Sequence, residues 1–156
     1  MRVEKNYSLK ERSYIKIGGT VKEMVFFDNC EELVQFSKER GERPFILGNC
    51  SNILFSDKQI DALFGSIDGI NGINEVGELT YEKGAGLKFK EVINFMKKND
   101  LSGLENIAGI PGTVGGLAVI NAGAYKKEIF ENIVEVEYLD AEFNIGRKKR
   151  EDIKYG

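Results

Sequence analysis

Between Ala108 and Tyr125 the chain reads Ala-Gly-Ile-Pro-Gly-Thr-Val-Gly-Gly-Leu-Ala-Val-Ile-Asn-Ala-Gly-Ala-Tyr, with glycine at 109, 112, 115, 116 and 123. Each glycine raises the entropy cost of ordering the segment, so such a string needs an offsetting contact. Glycine-rich turns and the first turns of helices aim successive backbone N–H groups at one spot and favour negative charge there. The stretch therefore predicts a phosphate-bearing ligand lying against the main chain.

At 156 residues the chain suffices for one ordinary domain, or for two small lobes that share a ligand. Its 42% hydrophobic and 30% charged residues are a globular composition. The net charge of -3 argues against a nucleic-acid partner, whose phosphates the overall field would repel. The absence of histidine removes a Ser-His-Asp triad, a His-containing zinc site and a flavin tethered through histidine. Cys30 and Cys50 form neither a Cys-x-x-Cys pair nor a metal-ligand spacing. No apolar run has the length of a signal sequence or a membrane span, so a cytoplasmic protein is expected.

Patterning predicts a strand over Glu23–Phe27 and then a helix capped by Asn29 with Glu32, closed by Gly41, with Leu33, Val34, Phe36 and Ser37 facing inward. A short strand, Pro44–Leu47, runs into the polar loop Gly48-Asn49-Cys50-Ser51-Asn52, and Ile53–Phe55 resumes a β-like run. Short strands are expected over 62–67, 73–76 and 79–83, with Gly84-Ala85-Gly86 as a turn and a lobe boundary near Gly69–Gly72. That boundary divides the chain into lobes 1–70 and 71–156. Leu87–Asn99 has helical spacing of Phe89, Val92, Ile93 and Met96, with lysine and asparagine on the other face. Ile133–Leu139 alternates as a half-exposed strand with Glu135 and Glu137 outward, and Arg147–Arg150 is a basic run suited to a solvated hairpin end or a frayed helix start.

Taken together, Leu47–Asn52, Gly109–Gly116 and Asn121–Tyr125 resemble the flavin-binding loops of the UDP-N-acetylenolpyruvoylglucosamine reductase family. Ile15-Lys16-Ile17-Gly18-Gly19 and Leu101-Ser102-Gly103-Leu104-Glu105 extend that resemblance, in the right order, over essentially the whole chain. It implies an α+β fold of the vanillyl-alcohol-oxidase/PCMH type, mixed sheets with flanking helices, in which two lobes clamp noncovalent FAD. By the resemblance, Leu47, Gly48, Asn49, Cys50, Ser51 and Asn52 cradle the pyrophosphate. Gly109, Pro111, Gly112, Thr113, Val114, Gly115 and Gly116 run beside the pyrophosphate and isoalloxazine, and Asn121, Ala122, Gly123 and Tyr125 line the same cleft. Gly115→Val or Gly116→Val is then expected to abolish flavin binding with the core intact. Cys50 departs from the family's usual glycine, so a positive φ there would cost on the order of 1 kcal/mol.

The same resemblance implies a reaction in which NADPH supplies a hydride through FAD to the enol ether of UDP-N-acetylglucosamine enolpyruvate, giving UDP-N-acetylmuramate for peptidoglycan. It assigns catalysis to an arginine in a Tyr-Arg-x-Ser pattern, a proton-donating serine and a glutamate. None of these is expected within the 156 residues, and Asp152–Gly156 looks like the lead into the arginine pattern. The expectation is an FAD-binding portion with no catalytic residue of its own and no metal. Two alternatives are an FAD-dependent oxidase of the same fold class and a nonenzymatic module for a phosphorylated ligand.

Overall fold

A computed structural model describes residues 1–154. Its first half is a four-stranded sheet in the order β1-β2-β4-β3. Strand β1 (Arg2–Ser8) pairs antiparallel with β2 (Thr20–Phe26), while β2, β4 (Ile60–Ser66) and β3 (Phe45–Leu47) run parallel. The short helix α1 (Leu9–Arg12) follows β1, and α2 (Cys30–Arg40) links β2 to β3. Met24 and Val25 point to opposite faces of β2 and enter different core clusters. One face gathers Leu9, Val21, Leu47, Phe55 and Phe64; the other gathers Phe27, Phe36 and Ile67. A central strand covered on both sides explains the unbroken apolar run read there.

The cap of α2 forms as expected with one displacement. The Glu32 N–H donates to Asn29 Oδ1 at 2.9 Å, but the Glu32 carboxylate accepts from the N–H of Asp28 and not of Asn29. Gly41, at φ 64, closes the helix. The β-like run expected at Ile53–Phe55 is instead irregular. Phe55 still enters the core, while Leu54 is 74% exposed. The reason lies just downstream, where the Gly19 N–H donates to Ser56 O at 2.7 Å and the Gly19 backbone presses on Asp57 and Lys58, so this stretch serves the Gly18-Gly19 turn.

The second half comprises the hairpin β5 (Ile73–Gly77) and β6 (Thr80–Lys83), helix α3 (Phe89–Lys98), helix α4 (Val114–Val119), the hairpin β7 (Gly123–Ala124) and β8 (Lys127–Glu128), and the hairpin β9 (Glu135–Leu139) and β10 (Ile145–Lys149). Phe89, Val92 and Met96 of α3 pack with Leu104, Ile107, Leu117, Ile129 and Phe130 in a separate core. Glu135 and Glu137 are exposed as expected, and Arg147 reaches Glu137 at 2.9 Å across the hairpin. Arg150 donates to the carbonyls of Phe130 and Glu131. The basic run is thus a hairpin strand and its exit, and Tyr155 and Gly156 lie outside the described residues.

Gly84-Ala85-Gly86 is a turn, and it joins the halves. Its glycines donate N–H bonds of 2.9 Å to Gly72 O and Ile70 O. A Cβ at Gly86 would lie 1.8 Å from Ile67 O, so only a bare backbone fits. By contrast, a Cβ at Gly41 would meet nothing within 4 Å, and its cost is the left-handed conformation alone. Gly86→Ala is expected to destabilise by at least about 2 kcal/mol and Gly41→Ala by about 1 kcal/mol. Urea unfolding of the two variants checks this, and equal losses would contradict it.

Candidate functional site

The loop Gly48–Asn52 leaves the carboxyl end of β3, where open sheets with parallel strands place their ligands. The N–H groups of Asn49, Cys50, Ser51 and Asn52 find no acceptor among the described residues. Neither do the side chains of Asn49 and Asn52 find a partner there. Main-chain donors without a protein acceptor must be completed by water or a ligand, and they suit phosphate oxygens. The loop carries the donor set a pyrophosphate needs.

This loop packs directly on the glycine-rich stretch. The Ser51 hydroxyl donates to Pro111 O at 2.8 Å, and a Cβ at Gly48 would lie 2.7 Å from Thr113 Oγ1. The single O–H of Ser51 is therefore committed to holding the loops together. Thr113 is 2% exposed and caps α4, its hydroxyl accepting from the Gly116 N–H at 3.2 Å. Leu47 and Ala122 bury their side chains in the cores, so only their backbones are offered to a ligand.

Helix α4 was not anticipated as a helix, and its amino end is not free for an anion. Val114 N–H donates to Leu87 O at 2.9 Å, Gly115 N–H to Ala85 O at 2.8 Å, and Gly116 N–H to the Thr113 hydroxyl. Gly115 is small because Ala85 is there: an added Cβ would lie 2.8 Å from the Ala85 Cβ. Gly115→Val would thus disturb the join between the halves, and it is not the core-neutral probe expected from sequence. Unpaired donors of this stretch lie earlier, at Gly109, Gly112 and Thr113.

Gly109 and Gly112 line an open groove of about 560 Å³ together with Asn49, Ala108, Ile110 and Pro111 and with Lys88, Lys90, Ile93, Asn94 and Lys97. The polar face of α3 was read only as the outside of an amphipathic helix. Its lysines make no ion pair among the described residues and place positive charge beside the loop. Asn121, Gly123 and Ala124 line a different, shallower depression with Lys126, Lys127, Glu128 and Glu131. There Asn121 Nδ2 donates to Glu128 Oε2 at 2.7 Å, while its buried Oδ1 has no partner. Tyr125 and Lys126, at φ 52 and 62, form the two-residue tip of the β7–β8 hairpin, and the Tyr125 side chain is 85% exposed.

Cys50 does sit at positive φ, 50°. Its side chain is 5% exposed within the core under the loop, with Sγ 3.6 Å from Gly48 O. Burial pushes its thiol pKa up, and the charge of Arg12 offsets this only in part. A buried neutral thiol is neither nucleophile nor flavin tether. Cys30 is likewise raised by burial. Arg12, which no local pattern marks, lies under the same loop and is 13% exposed. It donates to Leu47 O at 3.3 Å and Gly48 O at 3.2 Å, and its guanidinium is paired with both oxygens of Asp68. Burial opposes its charge, and the hydrogen bond and charge of Asp68 more than restore it.

The parallel strand ends, acceptor-free amides and basic groove suit an anionic ligand, and comparison shows the family. Residues 28–143 match the FAD binding domain, and the chain belongs to that family. More particularly, it matches the FAD-binding region of UDP-N-acetylenolpyruvoylglucosamine reductases. It is 34% identical over 155 residues to the reductase of Fusobacterium nucleatum and 36% identical over 154 residues to that of Caldicellulosiruptor saccharolyticus. These alignments cover 99% and 97% of this chain and 55% and 49% of the relatives. The crystal structure of UDP-N-acetylenolpyruvylglucosamine reductase from Thermus caldophilus superposes with a TM-score of 0.82 at 29% identity, over 100% of this chain and 55% of that one. The chain spans about half the length of the relatives it matches.

Gly48→Val, which drives a side chain between the two loops, is expected to weaken FAD binding by at least about tenfold. Cys50→Gly, whose thiol points away from the loop's donors, should change it by less than about threefold. Flavin fluorescence titration checks both. In the folded protein at pH 8, Cys50 should react with iodoacetamide at least about tenfold more slowly than in the urea-unfolded chain. Rapid labelling of the native thiol would contradict its burial.

Proposed function

We propose that this chain is the FAD-clamping part of a cytoplasmic reductase that converts UDP-N-acetylglucosamine enolpyruvate to UDP-N-acetylmuramate with NADPH, in peptidoglycan synthesis. The observation that carries this is the row of acceptor-free amides from Asn49 to Asn52 at the end of a parallel strand, closed against Pro111–Thr113. The residues fit the cofactor, since these amides and the Asn49 and Asn52 side chains supply neutral donors for a pyrophosphate, and Gly109 and Gly112 add donors along the groove. The likeness to named reductases in sequence and fold supports the rest.

Bound flavin supplies the hydride chemistry. The work of this chain is to hold and orient it between lobes 1–70 and 71–156, a division supported by the separate cores on either side of Gly69–Gly72. Lys88, Lys90 and Lys97 raise the local concentration of an anionic ligand at the groove. Asn121 and Gly123 line the second depression, beside the exposed Tyr125 at the β7–β8 tip. Neither Arg147 nor Arg150 is spare for catalysis, because each is engaged within the β9–β10 hairpin and its neighbours.

The purified chain, mixed with FAD and freed of excess, is expected to keep a bound-flavin absorption spectrum. It should not oxidise NADPH in the presence of the enolpyruvyl substrate. Colourless, folded protein would refute the clamp, and substrate-dependent NADPH oxidation by the chain would refute its purely binding role.

A further inference from the structure

Arg12 and Asp68 are 56 residues apart in sequence and meet beneath the loop that bears the acceptor-free amides. We propose that this pair is a positioning strut for the cofactor's pyrophosphate: Arg12, fixed by Asp68, turns the carbonyls of the loop inward and so turns its amides outward. The inference rests on the FAD reading above.

In a trans peptide the carbonyl and the following N–H point in opposite directions. The chain contains no cis peptide among the described residues. Arg12 Nη2 holds Gly48 O at 3.2 Å, which sends the Asn49 N–H to the other side. Tyr14 N–H holds Cys50 O at 3.4 Å, which does the same for Ser51. Both fixing groups come from the segment at and just after the end of α1, so one short stretch sets the orientation of alternate peptides in the loop.

Guanidinium geometry matters here. Arg12 Nη2 reaches the Leu47 and Gly48 carbonyls, sharing its two hydrogens between them and Asp68 Oδ1 at 2.8 Å, while Nη1 closes on Asp68 Oδ2. The planar fork grips both Asp68 oxygens and so fixes Nη2 at the carbonyls; a lysine ammonium is a point charge without that two-point grip. The carboxylate neutralises the arginine, so the pair acts through geometry. The strut also bears on Cys50, which holds a left-handed conformation at φ 50 directly above it. Pinning the Gly48 and Cys50 carbonyls keeps that strained residue in place.

Geometry and charge make opposite forecasts, which allows a test by flavin fluorescence titration of the chain and its variants, with circular dichroism to report folding. Arg12→Lys keeps the charge and loses the fork; FAD affinity is expected to fall by at least about tenfold. Asp68→Asn, at a residue 49% exposed, leaves the arginine uncompensated near a dianionic pyrophosphate. Positioning forecasts a several-fold weaker affinity, whereas direct charge attraction forecasts a tighter one. Inorganic pyrophosphate, used as competitor against FAD, should lose affinity in parallel in both variants. Unchanged FAD affinity in a folded Arg12→Lys variant, or unchanged or tighter binding in Asp68→Asn, overturns the strut. If Arg12→Lys does not fold, the Asp68→Asn result decides alone. Failure of the unsubstituted chain to bind FAD would instead remove the reading on which the strut rests.

Discussion

The structure depends on the close approach of backbone to backbone at Gly84-Ala85-Gly86. On one side this turn bonds to the exit of β4 through Ile70 and Gly72. On the other, the Ala85 and Leu87 carbonyls receive the first amides of α4, and the Phe89 N–H donates to Gly112 O at 2.9 Å. The turn and the start of α3 therefore set where Pro111–Thr113 stands relative to β3 and its loop. Side chains at Gly86 or Gly115 would push these elements apart, and the loop after β3 would lose the segment packed against it.

A division of labour among the glycines follows. Gly84, Gly86 and Gly115 are small so that the protein can touch itself, while Gly109 is exposed and would meet nothing with an added Cβ. Gly48 stands between, since its missing side chain lets Thr113 come close. The donors for an anion arise in the β3 loop, where carbonyls are drawn inward by Arg12 and Tyr14 and the amides are left outward. The donors at the amino end of α4 are taken by the Leu87 and Ala85 carbonyls and the Thr113 hydroxyl. Residues 108–112, just before α4, line the groove together with the lysines of α3.

Much of this was legible in the sequence because it is local. The Asn29 cap, the Gly41 stop, the apolar stripe of α3 and the outward Glu135 and Glu137 each follow from a few neighbouring residues. Elements governed by distant partners were not legible. Ile53–Phe55 has the residues of a strand, but its neighbours serve the Gly19 turn. Helix α4 hides because its glycines oppose helix formation and tertiary bonds to Ala85 and Leu87 override them. The β7–β8 hairpin turns at Tyr125-Lys126, which lacks the Asn-Gly chemistry of such turns. Arg12 was invisible because its partner lies 56 residues away.

The central claim is that the amides of Asn49 to Asn52 receive the pyrophosphate of FAD. Amide ¹⁵N–¹H spectra of the chain, recorded with FAD and separately with riboflavin, test it most directly, since riboflavin carries the same ring system without the pyrophosphate. The account predicts large shifts of the 49–52 amides with FAD alone, and small shifts at Gly115 and Gly116, whose N–H groups are already bonded. Equal responses of the 49–52 amides to both ligands, or FAD shifts centred on the start of α4 with the 49–52 amides unmoved, would contradict it.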